Sequence, residues 1–193
     1  MPLERSVLNY KESNTGRFLT EDSIGAPNGT GVTVKEYGNG GTIHKTVLTF
    51  TNVSIAITDR TTAGAQGSLK IYDFPTGHLI MQGAAMNLTT LAGAGGITDT
   101  AALVGSVGTA TVGTDNATLL TTEADIIAST AGTLSSGAGT LKNTGTQSLG
   151  IFDGTGTAID AYLNIAVPDA GSSADDTVTV NGTVTFFWSL GGL

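Results

Sequence analysis

Cysteine is absent from this sequence, and aromatic residues make up only 6% of its 193 positions. Without cysteine the chain has no disulfide, no thiolate nucleophile and no cysteine-based metal site. Long apolar runs are also missing, since no stretch approaches the ~18 apolar residues of a membrane-spanning helix. The first residues lack the apolar core of a secretory signal peptide. We therefore expect neither membrane insertion nor secretion by such a signal.

Positive charge is scarce, because 8 Lys and Arg residues stand against 16 Asp and Glu residues, and the net charge is −8. Nucleic acid and anionic membranes bind clustered Lys and Arg, so both are poor partners for this chain. Seven of the eight basic residues precede residue 71. Two interpretations of this asymmetry stay open: the acidic remainder keeps the body soluble, or the two parts face different partners.

Small and β-branched residues are abundant instead. Thr and Val suit a pleated surface, and the 28 glycines suit turns. Apolar and polar residues alternate over 32–37 and 158–168, as in strands with one buried face. Further strands are predicted over 68–74, 79–89 and 148–154. The sequence therefore predicts an all-β fold, a two-sheet antiparallel sandwich that is jelly-roll-like, with residues 32–193 as a single domain.

Two places in the predicted strands need special backbone geometry. The β-run over 42–58 moves its apolar residues to the other face near Thr51–Asn52, which predicts a bulge or bend. Asn181–Gly182 lies between two β-rich runs and is a strong hairpin signal. A straight strand, however, would put one consistent apolar set on one face: Val178, Val180, Val184, Phe186 and Trp188. We favour one long strand with a close approach at Gly182, and a hairpin is the alternative.

Two segments carry weaker signals. Residues 59–67 read as a loop because they are rich in turn formers. Residues 92–147 are rich in Gly, Ala and Thr and show little periodicity. For this second segment we predict one strand over 102–112 and a single helical turn within 120–127.

Residues 1–31 differ from the rest, with much of the charge and no sustained apolar period. We interpret them as an extended N-terminal arm, and a frayed terminus is the alternative. Apolar residues scattered among basic ones indicate that the arm docks on another surface. The candidate contact residues are Arg5, Lys11, Arg17 and Phe18.

Residues able to carry chemistry are few and dispersed. The two histidines are His44 and His78, and a dyad of Asp73 with His78 has no identifiable nucleophile beside it. The acidic segments 153–156 and 169–176 match no EF-hand pattern. We expect both histidines to face solvent or to have satisfied hydrogen bonds. We predict no catalytic residue, no cofactor and no metal site, and we do not expect an enzyme.

Two long stretches carry a resemblance to a known family. They read V-L-T-F-T-N-V-S-I-A-I-T-D-R-T-T-A-G-A-Q-G-S-L-K-I-Y-D-F-P-T-G (47–77) and A-I-D-A-Y-L-N-I-A-V-P-D-A-G-S-S-A-D-D-T-V-T-V-N-G-T-V-T-F-F-W (158–188). Both are similar to small structural proteins encoded beside the major capsid protein in tailed bacteriophages, of the decoration or cement type. The resemblance implies a β-rich protein, expected as a homotrimer, that binds the outside of the head. Such a protein clamps neighbouring capsid subunits against the internal pressure of DNA.

The resemblance also implies partners and a location. The partners are the major capsid protein and copies of the chain itself, and the protein lies on the capsid exterior of the virion after assembly in the host cytoplasm. The N-terminal arm is then the candidate for contact with the capsid lattice. Two other classes stay open: a phage tail-tip or head-fibre module that binds a host-surface glycan, and a cellular β-sandwich hydrolase or lectin-like domain. Scarce aromatic residues weigh against the glycan-binding module.

The composition predicts self-association. Small side chains bury little apolar area, so each contributes far less free energy than the ~1.5–3 kcal/mol of a buried Leu or Phe. Part of the stability should therefore come from contact between copies. Sedimentation velocity at micromolar concentration should show an oligomer. A monomer that unfolds cooperatively at that concentration would contradict this expectation.

Overall fold

Long antiparallel strands dominate the computed structural model, which describes residues 26–27, 29–38, 43–92, 95–98, 101–113, 118–135, 139–143 and 150–191. These residues form eleven strands: β1 (Ala26–Pro27), β2 (Val32–Gly38), β3 (His44–Asp59), β4 (Ala65–Asp73), β5 (Gly77–Ala92), β6 (Ala102–Gly108), β7 (Ile127–Thr133), β8 (Gly139–Asn143), β9 (Ile151–Gly154), β10 (Asp160–Val167) and β11 (Asp176–Gly191). Single 3₁₀ turns lie at Thr61–Ala63, Thr121–Glu123 and Asp169–Gly171. No helix in the described ranges has the length and apolarity needed to cross a membrane.

The strands follow one continuous path in the order β7-β6-β10-β4-β3-β11-β5-β8, with β1 added to β4, β2 to β3 and β9 to β5. Every pairing between two of these strands is antiparallel. The all-β, antiparallel prediction is thus confirmed. Strands β3 and β4 join the two halves of the path through only two residue pairs. Because this link holds, the strands form one sheet in place of the two separate sheets of the predicted sandwich.

The two ends of the path meet through side chains. The Asn143 amide of β8 donates to Thr130 Oγ1 of β7 at 2.6 Å, and the Thr140 N–H donates to Thr133 Oγ1 at 3.2 Å. Thr90 of β5 donates its hydroxyl to the Thr133 carbonyl at 2.6 Å. The sheet therefore nearly closes as a barrel, with Thr and Asn side chains at the seam.

The core gathers four of the scarce aromatic side chains into one cluster. It consists of Tyr72, Phe74, Phe186 and Trp188, and each is at most 2% exposed. Phe74 is at its centre, with its ring 4.8 Å from Tyr72 and 5.4 Å from both Phe186 and Trp188, measured between centroids. Tilted and edge-on contacts of this kind stabilise beyond the buried area alone. The remaining core is aliphatic apart from Phe50 and lines the inner face of the long strands.

Strand β11 runs straight through Asn181–Gly182, so the hairpin alternative is wrong. It lies between β3 and β5 and pairs with both on either side of that dipeptide. The apolar set of the straight interpretation, Val178, Val180, Val184, Phe186 and Trp188, is fully buried. Side-chain parity therefore outweighs the turn preference of Asn-Gly at this position.

A bulge in β3 accompanies the close approach at Gly182, and both predictions are confirmed. The register between β11 and β3 shifts from Val180↔Val53 to Gly182↔Phe50. Asn52 takes a positive φ of 50°, and its N–H donates to Asn181 Oδ1 at 2.7 Å. Gly182 has a φ of +125°, and a Cβ there would lie 2.3 Å from the Asn87 carbonyl oxygen. Only glycine fits this crossing without a backbone shift.

Other boundaries depart from the sequence expectations. Strand β4 begins at Ala65, inside the segment 59–67 that reads as a loop. Strands β7 and β8 lie in the Gly/Ala/Thr-rich stretch and were not predicted. The helical turn expected within 120–127 is present as the 3₁₀ turn Thr121–Glu123.

Replacing Gly182 by Ala should destabilise the protein by about 3 kcal/mol, because the backbone must leave a left-handed conformation and move away from Asn87. Urea unfolding followed by the fluorescence of Trp188, the only tryptophan, measures the change. Gly156→Ala is the matched control, since a Cβ there meets nothing within 4 Å. Equal stability of the two variants would show that the crossing does not require glycine.

Candidate functional site

Four exposed side chains form a distinctive surface on the outer face of three neighbouring strands. Tyr37 of β2 pairs with Lys45 of β3, which in turn pairs with Phe187 of β11, and Lys35 lies two residues before Tyr37 on β2. Tyr37 is 38% exposed and Phe187 is 39% exposed, and both lysines are exposed. We call these four residues the lysine–aromatic surface.

The lysines lie over the rings. Lys45 Nζ is 5.5 Å from the Tyr37 ring centroid and 5.8 Å from that of Phe187, and Lys35 Nζ is 6.0 Å from the Tyr37 centroid. These distances are those of cation–π contacts. Neither lysine forms an ion pair with any residue that the structure describes. In a protein of net charge −8, this is a local concentration of positive charge that a carboxylate could neutralise.

Strand alternation positions this surface over a buried polar network. Successive residues of a strand point to opposite faces, so Tyr37 follows Glu36, Lys45 lies between His44 and Thr46, and Phe187 lies between Phe186 and Trp188. The exposed residues therefore share their backbone with side chains of the core. Packing of the core therefore fixes the backbone positions of these exposed residues.

The buried network connects four strands. Trp188 Nε1 of β11 donates to Thr46 Oγ1 of β3 at 2.8 Å, and the Thr46 hydroxyl donates to Glu36 Oε2 of β2 at 2.7 Å. Tyr72 of β4 donates its hydroxyl to Glu36 Oε1. Burial raises the pKa of the Glu36 carboxyl above its ordinary value, although the two hydroxyl donors lower it. Satisfied networks of this kind hold strands in one geometry.

His44 contradicts the expectation of a solvent-facing or satisfied side chain. It is 1% exposed, its ring stacks on Trp188 at 4.2 Å between centroids, and its Nδ1 is buried without a hydrogen-bond partner. Burial lowers the pKa of the His44 imidazole below its ordinary value. Pairing of β3 with β11 brings the indole over the imidazole and covers it, which the sequence around His44 does not reveal.

The residues predicted for partner contact, Arg5, Lys11, Arg17 and Phe18, lie outside the described residues. Sequence reasoning missed the lysine–aromatic surface. Phe187 provides a signal that could have found it, because it is the one aromatic residue on the face that otherwise carries Thr177, Thr179, Asn181, Thr183 and Thr185.

The other titratable residues form local contacts. Asp73 and Asp160 both pair with Lys70, the latter at 3.0 Å. His78 Nδ1 lies 3.7 Å from Asp153 Oδ1 at the surface. Asp153 and Asp160 also line an open cleft of about 530 Å³. Hydrogen bonds from Thr155 lower the pKa of Asp153.

Asp176, at the end of the acidic segment 169–176, binds backbone N–H groups of another loop. Asp176 Oδ2 accepts N–H bonds from Gly95, Gly96 and Ile97 at 3.2, 2.9 and 2.9 Å. Burial would raise the pKa of Asp176, but these and a further backbone donor outweigh it and lower the pKa. In the described ranges, no group of three or more His, Cys, Asp or Glu residues is placed to hold a metal ion.

Protonation of His44 should destabilise the fold. Its folded-state pKa is lowered, so its contribution is present above the ordinary value of about 6.5 and is lost as the pH falls below it, by at most ~1.4 kcal/mol per pH unit. His44→Phe keeps a ring on Trp188 and should flatten this slope in urea unfolding followed by circular dichroism. His78→Gln removes the exposed histidine as a control. An unchanged slope in His44→Phe would contradict the assignment.

No family model, curated protein or solved structure matches this chain. What the protein does must therefore be inferred from its own residues and from the geometry of the lysine–aromatic surface.

Proposed function

We propose that the chain is a structural protein of a tailed-phage virion, which binds the outer surface of the head and cements neighbouring major capsid protein subunits. The assignment to a phage head rests on the sequence resemblance of residues 47–77 and 158–188. The binding role rests on the lysine–aromatic surface. Its partners are the major capsid protein and further copies of the chain, expected as a homotrimer.

The two stretches that carry the resemblance lie in one part of the sheet. Residues 47–77 include most of β3 and all of β4, and residues 158–188 include β10 and most of β11. These strands are consecutive neighbours in the order β10-β4-β3-β11. A resemblance concentrated in four adjacent strands supports a common framework better than one scattered over the surface.

The lysine–aromatic surface is the observation that carries the binding role. A protein that clamps a lattice needs an outer face that keeps its position under load. Here the four residues alternate with buried neighbours along three hydrogen-bonded strands. The lysines can bind carboxylates of a partner. The two partly exposed rings are removed from water when a partner covers them, which favours binding.

A glycan-binding tail-tip or head-fibre module is the second candidate. The exposed rings of Tyr37 and Phe187 favour it, because sugars stack on aromatic faces. The number of copies per particle separates the two. Quantitative mass spectrometry of purified virions should find many copies if the protein cements the head, and only a few if it belongs to the tail.

The proposal predicts that purified protein binds phage heads that lack it, and that removal of residues 1–25 weakens this binding while the β-body stays folded. The truncation ends before Ala26–Pro27, because this pair forms ladder contacts with Tyr72 and Asp73 of β4. Co-sedimentation with heads measures binding, and cooperative urea unfolding checks the fold.

The outcomes distinguish the parts of the proposal. Unchanged affinity of the folded, truncated chain would contradict the role of the arm. Absence of the protein from purified virions would contradict the virion assignment itself.

A further inference from the structure

Strand β2 has one edge that pairs with no described strand, which we call its open edge. It pairs with β3 over its whole length, from Val32↔Phe50 to Gly38↔His44, and it has no second strand partner among the described residues. An open edge presents unpaired N–H and C=O groups that another extended segment can bind.

The ladder decides which groups face this edge. The Thr51 N–H donates to the Gly31 carbonyl at 3.1 Å, which makes Gly31 and Thr51 a hydrogen-bonded pair. Such pairs alternate along an antiparallel ladder, so Thr33, Lys35 and Tyr37 bond to β3. The backbone N–H and C=O groups of Val34 and Glu36 therefore point away from β3, toward the open edge.

Charge lies next to this edge on the outer face. The exposed side chains of β2 are Thr33, Lys35 and Tyr37, and Lys45 lies one strand further in. Both lysines lack an ion pair within the part of the chain that the structure describes. A strand added to β2 would place its own outer-face side chains directly beside Lys35 and Tyr37. Carboxylates at those positions would neutralise the lysines.

We propose that the open edge of β2 binds an extended, acidic segment of the partner protein, which adds to the sheet as a further strand. The Val34 and Glu36 backbone groups form its ladder, and Lys35 and Lys45 bind its carboxylates. This inference rests on the proposed function in taking the partner to be the protein that the chain decorates. It adds the mode of docking and the chemistry of the docked segment.

A second copy of the chain fits this edge less well. Full overlap of β2 with an antiparallel copy of itself would place Lys35 opposite Lys35 of that copy. Like charges directly opposite each other destabilise a strand pair.

The first experiment uses a peptide probe, an acetylated and amidated octapeptide of alternating Thr and Glu. Amide hydrogen exchange by NMR should show fast exchange at Val34 and Glu36 in the free protein, and slow exchange at Thr33 and Lys35, which bond to β3. The peptide should slow exchange at Val34 and Glu36. A Thr-Lys peptide should not, and neither should a Thr-Glu peptide with Pro in place of each Thr.

Paired variants separate backbone from charge. Val34→Pro removes an edge N–H, and its control Val34→Ala keeps it. Lys35→Glu combined with Lys45→Glu reverses the charge, and its control is Lys142→Glu, at an exposed position of β8. We expect binding of the Thr-Glu peptide, and of phage heads, to weaken about tenfold or more in Val34→Pro and in the double variant, and to stay within about twofold in the controls.

Each failure has its own signature. If heads bind but Val34→Pro and the double charge variant bind them unchanged, the inference is wrong and the proposed function stands. If the peptide protects Val34 and Glu36 but heads do not bind, the proposed function is wrong and the edge site stands. Binding lost in Tyr37→Ser and Phe187→Ser, yet insensitive to salt and to the lysine variants, would indicate a sugar platform and overturn the acidic segment.

Discussion

The straight passage of β11 between β3 and β5 is the constraint on which the rest of the fold depends. Because this strand pairs on both sides, its inner face sets the position of the core of both neighbours. The crossing works only because Gly182 leaves room for the Asn87 carbonyl and Asn52 bulges on the opposite side. The Asn181 side chain then binds the Asn52 N–H that the bulge leaves free. A dipeptide that locally favours a turn therefore serves here as a contact between three strands.

The same strand ties the interior to the proposed binding surface. Trp188 points inward, where it stacks on His44 and donates through Thr46 to the Glu36 carboxylate. Its neighbour Phe187 points outward beside Lys45. The outer surface thus inherits its rigidity from the core, since alternating residues share one backbone. Aromatic side chains, although few in this chain, therefore occur on both faces of β11.

The charge distribution indicates which kind of partner this surface binds. The chain is strongly acidic, yet Lys35 and Lys45 converge on one ring next to the open edge of β2. Elsewhere several described acidic groups have local partners, such as Lys70 for Asp160 and backbone N–H groups for Asp176. A positive site on an acidic body selects acidic partners by charge at short range.

Alternation along a single strand is a local property, so the sequence alone predicts the all-β class and the bulge at Thr51–Asn52, and it favours the straight course through Gly182. Strands β7 and β8 were not predicted, because small residues on both of their faces produce no clear alternation of apolar and polar side chains. Pairing between strands distant in sequence was decided only by the tertiary structure. That pairing closes one sheet instead of two, buries His44 under Trp188, and assembles Lys35, Tyr37, Lys45 and Phe187 from three strands. No local pattern encodes which strands become neighbours, and the proposed site exists only through that choice.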